Sequence, residues 1–291
     1  MKEIVIISGK GGTGKTSITA SYAFLEKENA VVADCDVDAA NMYLLLKPET
    51  IESNDFFSGV KAFIHQKNCI KCRICENVCR FGAIIYRNSN FYINKLNCEG
   101  CGYCSKVCPT QVIEMIEQNV GKQFISKTRF NNILVHARLG IGAENSGKLV
   151  AKVKQEAKRI AENKDVEYIL VDGAPGIGCP VLSSLTGADF VVLVTEATIS
   201  GFHDLKRVIE LIKNFNLKAA CIINKYDLNI NKTNEIIEYL KSVDIEILTK
   251  IPYNIAFTDA LIQGKTITEF DNNQISELIK DSWEKIKRNL K

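Results

Sequence analysis

The chain has 291 residues, 46% of them hydrophobic and 24% charged, with a formal net charge of +3, and this is ordinary globular composition. With five prolines, 18 glycines and no apolar run near the roughly 20 residues of a membrane helix, collagen-like, low-complexity and membrane-spanning classes are excluded. Eleven cysteines are the departure: eight fall between Cys69 and Cys108, too clustered for a disulfide scaffold, which points to metal and to a cytoplasmic protein.

Met1-Lys2-Glu3 runs into an apolar stretch at 4–7 and then a glycine loop, with no small-residue cleavage site, so it reads as a first strand and not as a signal peptide. The loop is Gly9-Lys10-Gly11-Gly12-Thr13-Gly14-Lys15-Thr16, a full match to G-x-x-x-x-G-K-[ST] between that strand and a helical pattern at 15–27. Glycines there let backbone N–H groups turn around phosphate, and the helix N-terminus adds partial positive charge. By this motif Lys15 reaches the β- and γ-phosphates and Thr16 gives a hydroxyl to Mg²⁺. A second strand at 31–34 leads into Asp34-Cys35-Asp36-Val37-Asp38-Ala39-Ala40-Asn41.

From about residue 60 to about 120 the β/α alternation stops. Residues 61–118 carry a net charge of +4 against −1 for the rest, a balance that suits either nucleic acid or a bound anionic group. The cysteines favour the bound group, and nucleic acid is not expected. Cys69, Cys72, Cys75 and Cys79 read C-x₂-C-x₂-C-x₃-C, and Cys98, Cys101, Cys104 and Cys108 repeat the spacing at an offset of 29 residues. Structural zinc is the alternative, but zinc sites use separated C-x₂-C knuckles and not three cysteines at successive spacings. The pattern resembles bacterial dicluster ferredoxins, in which each fourth cysteine ligates the other cluster. That resemblance assigns Cys69, Cys72, Cys75 and Cys108 to one [4Fe–4S] cluster, and Cys98, Cys101, Cys104 and Cys79 to a second.

Strand patterns resume at 133–136, 168–172, 190–195 and 219–224, alternating with helical patterns at 147–163, 202–214 and 231–241. Short Val- and Ile-rich strands between helices predict an α/β fold with a mostly parallel sheet flanked by helices. The expected domains are 1–60 with 119–291, forming one discontinuous P-loop domain, and 61–118, an inserted α+β ferredoxin-like domain. Val171-Asp172-Gly173-Ala174-Pro175-Gly176 and Asn224-Lys225 stand at strand ends, and Ile251-Pro252-Tyr253 lies beyond the last strand pattern. Cys35 and Cys221 read as buried small hydrophobes, and Cys179 is expected to be buried too, with a further metal bridged across a dimer as the alternative. Near the C-terminus Ile275, Leu278, Ile279, Trp283, Ile286 and Leu290 recur at helical spacing among lysines. This stripe suits either the core or a membrane surface, and packing on the sheet is the expected outcome.

Lys10 inside the loop, the 34–41 segment and the D-x-x-P-G segment at 172–176 resemble the MinD/ParA family of deviant Walker A ATPases, which includes the nitrogenase iron protein and Mrp-type scaffolds. The resemblance implies Mg²⁺-dependent ATP hydrolysis in an ATP-dependent homodimer. Lys10 would cross to the partner's nucleotide, Asp36 would orient the attacking water, and Asp172 would stand in the Mg²⁺ shell. The Gly176 amide would sense the γ-phosphate, with Asn224 and Pro252 at the adenine. The C-x-x-C pair that Mrp-type scaffolds carry toward the C-terminus is missing, since no cysteine follows Cys221. Two readings of function follow: an ATP-gated electron carrier serving a redox partner, or a cluster- or metal-delivery factor for another metalloenzyme.

Overall fold

The computed structural model describes residues 1–37, 40–140, 145–270 and 274–291. It divides into two compact units, one formed by Met1–Asn54 with Lys122–Lys291 and the other by Asp55–Gly121. Strands are β1 (Lys2–Ile7), β2 (Ala30–Asp34), β3 (Glu49–Ile64), β4 (Ile84–Arg87), β5 (Asn90–Ile93), β6 (Ile113–Lys127), β7 (Ile133–Leu139), β8 (Tyr168–Asp172), β9 (Phe190–Glu196), β10 (Ala219–Asn224) and β11 (Glu246–Ile251). Helices are α1 (Lys15–Glu26), α2 (Met42–Leu46), α3 (Ile74–Val78), α4 (Tyr103–Lys106), α5 (Ser146–Lys164), α6 (Cys179–Leu185), α7 (Ile199–Asn214), α8 (Ile230–Ser242), α9 (Ala256–Ile262), α10 (Ile267–Phe270) and α11 (Gln274–Asn289).

The large sheet runs β11-β10-β9-β1-β8-β2-β7-β6-β3, and every pairing from β11 across to β7 is parallel. Its central strands are buried along nearly their whole length, as both-faced parallel strands must be. In the first unit α1 packs on β8, α5 on β2 and β7, and α7 on β9. Parallel register brings Ile6, Asp34 and Asp172 level on neighbouring strands, so three loops leave the sheet at one end. This is where an open α/β sheet binds its ligands.

The strands and long helices expected from the sequence are present, and the sheet is mostly parallel as expected. In the large sheet three strands are additional: β11, and the long strands β3 and β6. β3 and β6 each cross the boundary between the units, so the chain passes between them within continuous strands. The second unit holds the hairpin β4–β5, paired antiparallel, with α3 and α4, over a small core of Ala62, Ile64, Ile84, Phe91, Val112 and Ile113.

No helix among the described residues is long and apolar enough to cross a membrane. The C-terminal stripe is core: Ile275, Ile279, Trp283 and Ile286 are buried with Ile4, Ile6 and Leu170 of the sheet. Trp283 lies 4.8 Å from the Tyr22 ring and 5.3 Å from the Tyr168 ring, and its Nε1 donates to Glu26 Oε1 at 2.5 Å. Trp283→Ala removes these ring contacts and a donor at once. We expect it to cost about 3–5 kcal/mol, read as a lower urea midpoint with an unchanged slope.

Candidate functional site

The turn from β1 into α1 is fixed by its glycines and by β10. Gly14 sits at φ +93°, and a Cβ on it would lie 2.6 Å from Asn224 Nδ2, so only glycine fits. Asn224 is buried; its Nδ2 donates to the Thr13 carbonyl at 2.8 Å and its Oδ1 accepts the Lys225 N–H at 2.9 Å. Lys225 Nζ donates to the Gly12 carbonyl at 3.0 Å. The end of β10 thereby braces the loop. A cleft of about 780 Å³ opens over it, lined by Gly11, Gly12, Thr13, Gly14, Lys15 and Thr16 together with Asp36, Asn224 and Pro252. Asn41, Leu44 and Leu45 close another side, and Tyr253 and Phe257 supply flat apolar surface next to Pro252.

Beneath the loop lies a buried charge cluster. Lys15 Nζ is 2.8 Å from Asp172 Oδ1 and 3.8 Å from Asp36 Oδ2. Burial disfavours the Lys15 ammonium, but Asp172, with Asp36 and Asp34 behind it, outweighs that cost and holds its pKa above the ordinary lysine value. Asp172 also accepts from Thr16 Oγ1 at 2.7 Å and Thr19 Oγ1 at 3.1 Å. Asp34 is level with Asp172 on the next strand, and burial together with that carboxylate pushes its pKa up to about 8. A hydroxyl and a carboxylate in contact at the mouth of a phosphate loop are hard oxygen donors that suit Mg²⁺.

Some expected residues lie elsewhere. Lys10 points away from the cleft, with its Nζ 2.5 Å from Glu196 Oε1 and donating to Ser200 Oγ at 3.1 Å. Gly9 backs onto Asp204, and the Gly176 amide donates to the Ser8 carbonyl at 2.9 Å. Lys10, Gly9 and Gly176 are therefore outside the cleft lining, whereas Asp172 stands directly behind it through Lys15 and Thr16. Asp38 falls outside the described residues. Thr19 and Glu196 escaped the sequence reading; Lys225 was noted there beside Asn224, but its bond to the Gly12 carbonyl was not.

In the second unit the cysteines fall into two sets. One pocket is lined by Cys69, Cys72, Cys75 and Cys108, and another by Cys79, Cys98, Cys101 and Cys104. Arg73 and Gly102, both left-handed at φ 65° and 71°, turn the chain into α3 and α4, which carry Cys75 and Cys104. Burial, with neighbouring thiols, raises the pKa of Cys75 and Cys104. Among the described residues no group of three or more His, Cys, Asp or Glu side chains is gathered to hold a single metal ion. Four soft sulfur donors around each pocket, with an apolar core alongside, are chemically suited to an iron–sulfur group. Cys35 and Cys221 are buried as expected, whereas Cys179, expected to be buried, is exposed at the start of α6.

The chain is similar to known proteins along most of its length. An uncharacterised protein of Methanocaldococcus jannaschii is 34% identical over 289 residues, covering 98% of this chain and 96% of that one. The septum site-determining protein MinD of Neisseria meningitidis is 25% identical, covering 96% and 89%. Among solved structures, MinD of Pyrococcus horikoshii complexed with Mg-ADP superposes with a TM-score of 0.59 at 18% identity, covering 99% and 97%. The MinC:MinD complex of Aquifex aeolicus gives 0.59 at 19%, covering 99% and 96%. The pattern of the CobQ/CobB/MinD/ParA nucleotide binding domain matches residues 4–267, and the chain belongs to that family.

Proposed function

We propose that this chain is a Mg²⁺-dependent ATPase that pairs with a second copy on binding ATP and couples that change to electron transfer to a partner protein. The observation that carries the reading is the sorting of eight cysteines into two four-thiol pockets in a chain that also holds a complete phosphate loop. Thr16 and Asp172 would hold Mg²⁺, Lys15 would meet the phosphates, and Asp36, lining the cleft, would orient water. Asn224, Pro252 and Tyr253 offer the base a polar edge and a flat wall. Cys69, Cys72, Cys75 and Cys108 would hold one [4Fe–4S] cluster, and Cys79, Cys98, Cys101 and Cys104 the other. Bound clusters of this kind supply one-electron redox couples.

Chain continuity supports coupling. Asn41, Leu44 and Leu45 line the cleft, and α2, which includes the two leucines, ends at Leu46. β3 begins at Glu49 and runs on into the cysteine unit. A shift of α2 against nucleotide would pass along the chain into a strand that runs on to Ile64 of the cysteine unit. Delivery of a cluster or metal to another metalloenzyme is the competing function, and iron bookkeeping through turnover separates the two: a carrier keeps its iron, a delivery factor loses it to its client.

Three outcomes test the proposal. Lys15→Gln keeps a donor beside Asp172 but removes the charge, and should weaken ATP binding by roughly 100-fold or more in calorimetric titration. Anaerobically purified protein should contain about eight irons, and Cys108→Ser should alter the signal of the Cys69, Cys72 and Cys75 cluster in electron paramagnetic resonance while sparing the other. Finally, ATP more than ADP should shift the midpoint potential of at least one cluster in a redox titration, with Asp36→Asn retaining the ATP response. Superimposable titrations with ATP, ADP and no nucleotide would rule out coupling within the isolated chain.

A further inference from the structure

Glu196 closes β9 with only 8% of its surface exposed. A carboxylate that covered is costly unless paired. It is paired twice: Lys10 Nζ lies 2.5 Å from Oε1 and Lys225 Nζ lies 2.9 Å from Oε2. Burial works to raise the Glu196 pKa, but the two lysines overcome it and hold the group below the usual carboxylate range. Lys10 is tied further, donating to Thr198 Oγ1 at 3.3 Å and Ser200 Oγ at 3.1 Å. Lys225 spends a second donor on the Gly12 carbonyl at 3.0 Å. Glu196 thus gathers one cation from the start of the phosphate loop and a second that grips its middle.

We infer that Glu196 is a positioning residue, a latch that holds Lys10 on its own subunit and sets how readily ATP-bound copies pair. This rests on the reading that Lys10 serves the nucleotide of a second copy. To reach across, Lys10 must leave the carboxylate and both hydroxyls, so the fraction of chains competent to pair is reduced, and the apparent affinity for pairing falls by that fraction. Glu196→Gln keeps the shape and removes the charge that binds Lys10. Lys225 keeps its bond to Gly12 in that variant, so the loop retains its brace.

Two measurements on the full chain test this. The first is lysine acylation without nucleotide, read peptide by peptide in a mass spectrometer. Lys10 should react slowly in the wild type and several-fold faster in Glu196→Gln, while Lys225→Gln leaves it slow; equal rates for wild type and Glu196→Gln overturn the latch. The second is sedimentation with ATP in the Asp36→Asn background. Adding Glu196→Gln should lower the protein concentration for half-dimerisation by about 5–10-fold, within the range of ordinary conformational coupling. Adding Lys10→Gln as well should abolish that gain. An ATP-dependent dimer whose midpoint does not respond to Glu196→Gln overturns the inference alone. No dimer in any variant overturns the pairing reading, and the inference falls with it.

Discussion

The ion pair between Lys15 and Asp172 is the constraint around which the nucleotide unit is arranged. Parallel register sets Asp34 and Asp172 side by side at the ends of β2 and β8, and β1 delivers the phosphate loop next to them. Two carboxylates buried this closely are tolerable only with a cation between them and the loop, and unpaired burial of either costs several kcal/mol. Lys15 is that cation, and Asp172 also accepts from the Thr16 and Thr19 hydroxyls. In the proposed ATPase a nucleotide phosphate would compete with Asp172 for one ammonium. Thr16 and Asp172 would then hold the divalent cation, which would give Asp172 a positive partner in place of Lys15.

The elements that were legible in the sequence are those whose signal is local. Hydrophobic runs such as Ile4-Val5-Ile6-Ile7 have one stable place, the middle of a covered sheet, and the eight-residue loop can only follow such a strand. The periodic cysteines were legible for the same reason. β3 was not: Glu49 to Asp55 is polar and almost wholly exposed, so it carries no burial pattern, and its strand form comes from its place at the sheet edge. The Lys10–Glu196 pair was equally silent, since the partners are 186 residues apart and each is ordinary in its own neighbourhood. Asn224 was legible as a site residue, yet its contact with the Thr13 carbonyl required the strand order to be known.

The two cysteine sets illustrate how spacing and fold divide the work. Each C-x₂-C-x₂-C run turns back on itself through a left-handed residue and a single helical turn, which brings three thiols to one pocket from local geometry alone. The fourth thiol comes from the other half: Cys108 joins the first set and Cys79 the second. That exchange ties the halves together through the core of Ile64, Ile84, Phe91 and Val112. A unit this small has little apolar surface to bury, so clusters held as proposed by thiols from both halves would add cohesion that its core cannot supply alone.

The phosphate loop is held between two lysine–carboxylate pairs of unequal depth. Lys15 and Asp172 have 6% and 1% of their side chains exposed, whereas Lys10 and Glu196 have 28% and 10%. Charges nearer water are cheaper to separate, because solvent replaces the lost partner. The inner pair therefore needs a ligand of high charge to open it, and Mg-ATP is such a ligand. The outer pair opens at lower cost and answers to whatever approaches the face of the loop. Both lysines belong to one eight-residue loop whose middle is fixed by Lys225 and Asn224. Binding of nucleotide and release of Lys10, as proposed, would in this way be steps of different cost along one piece of backbone.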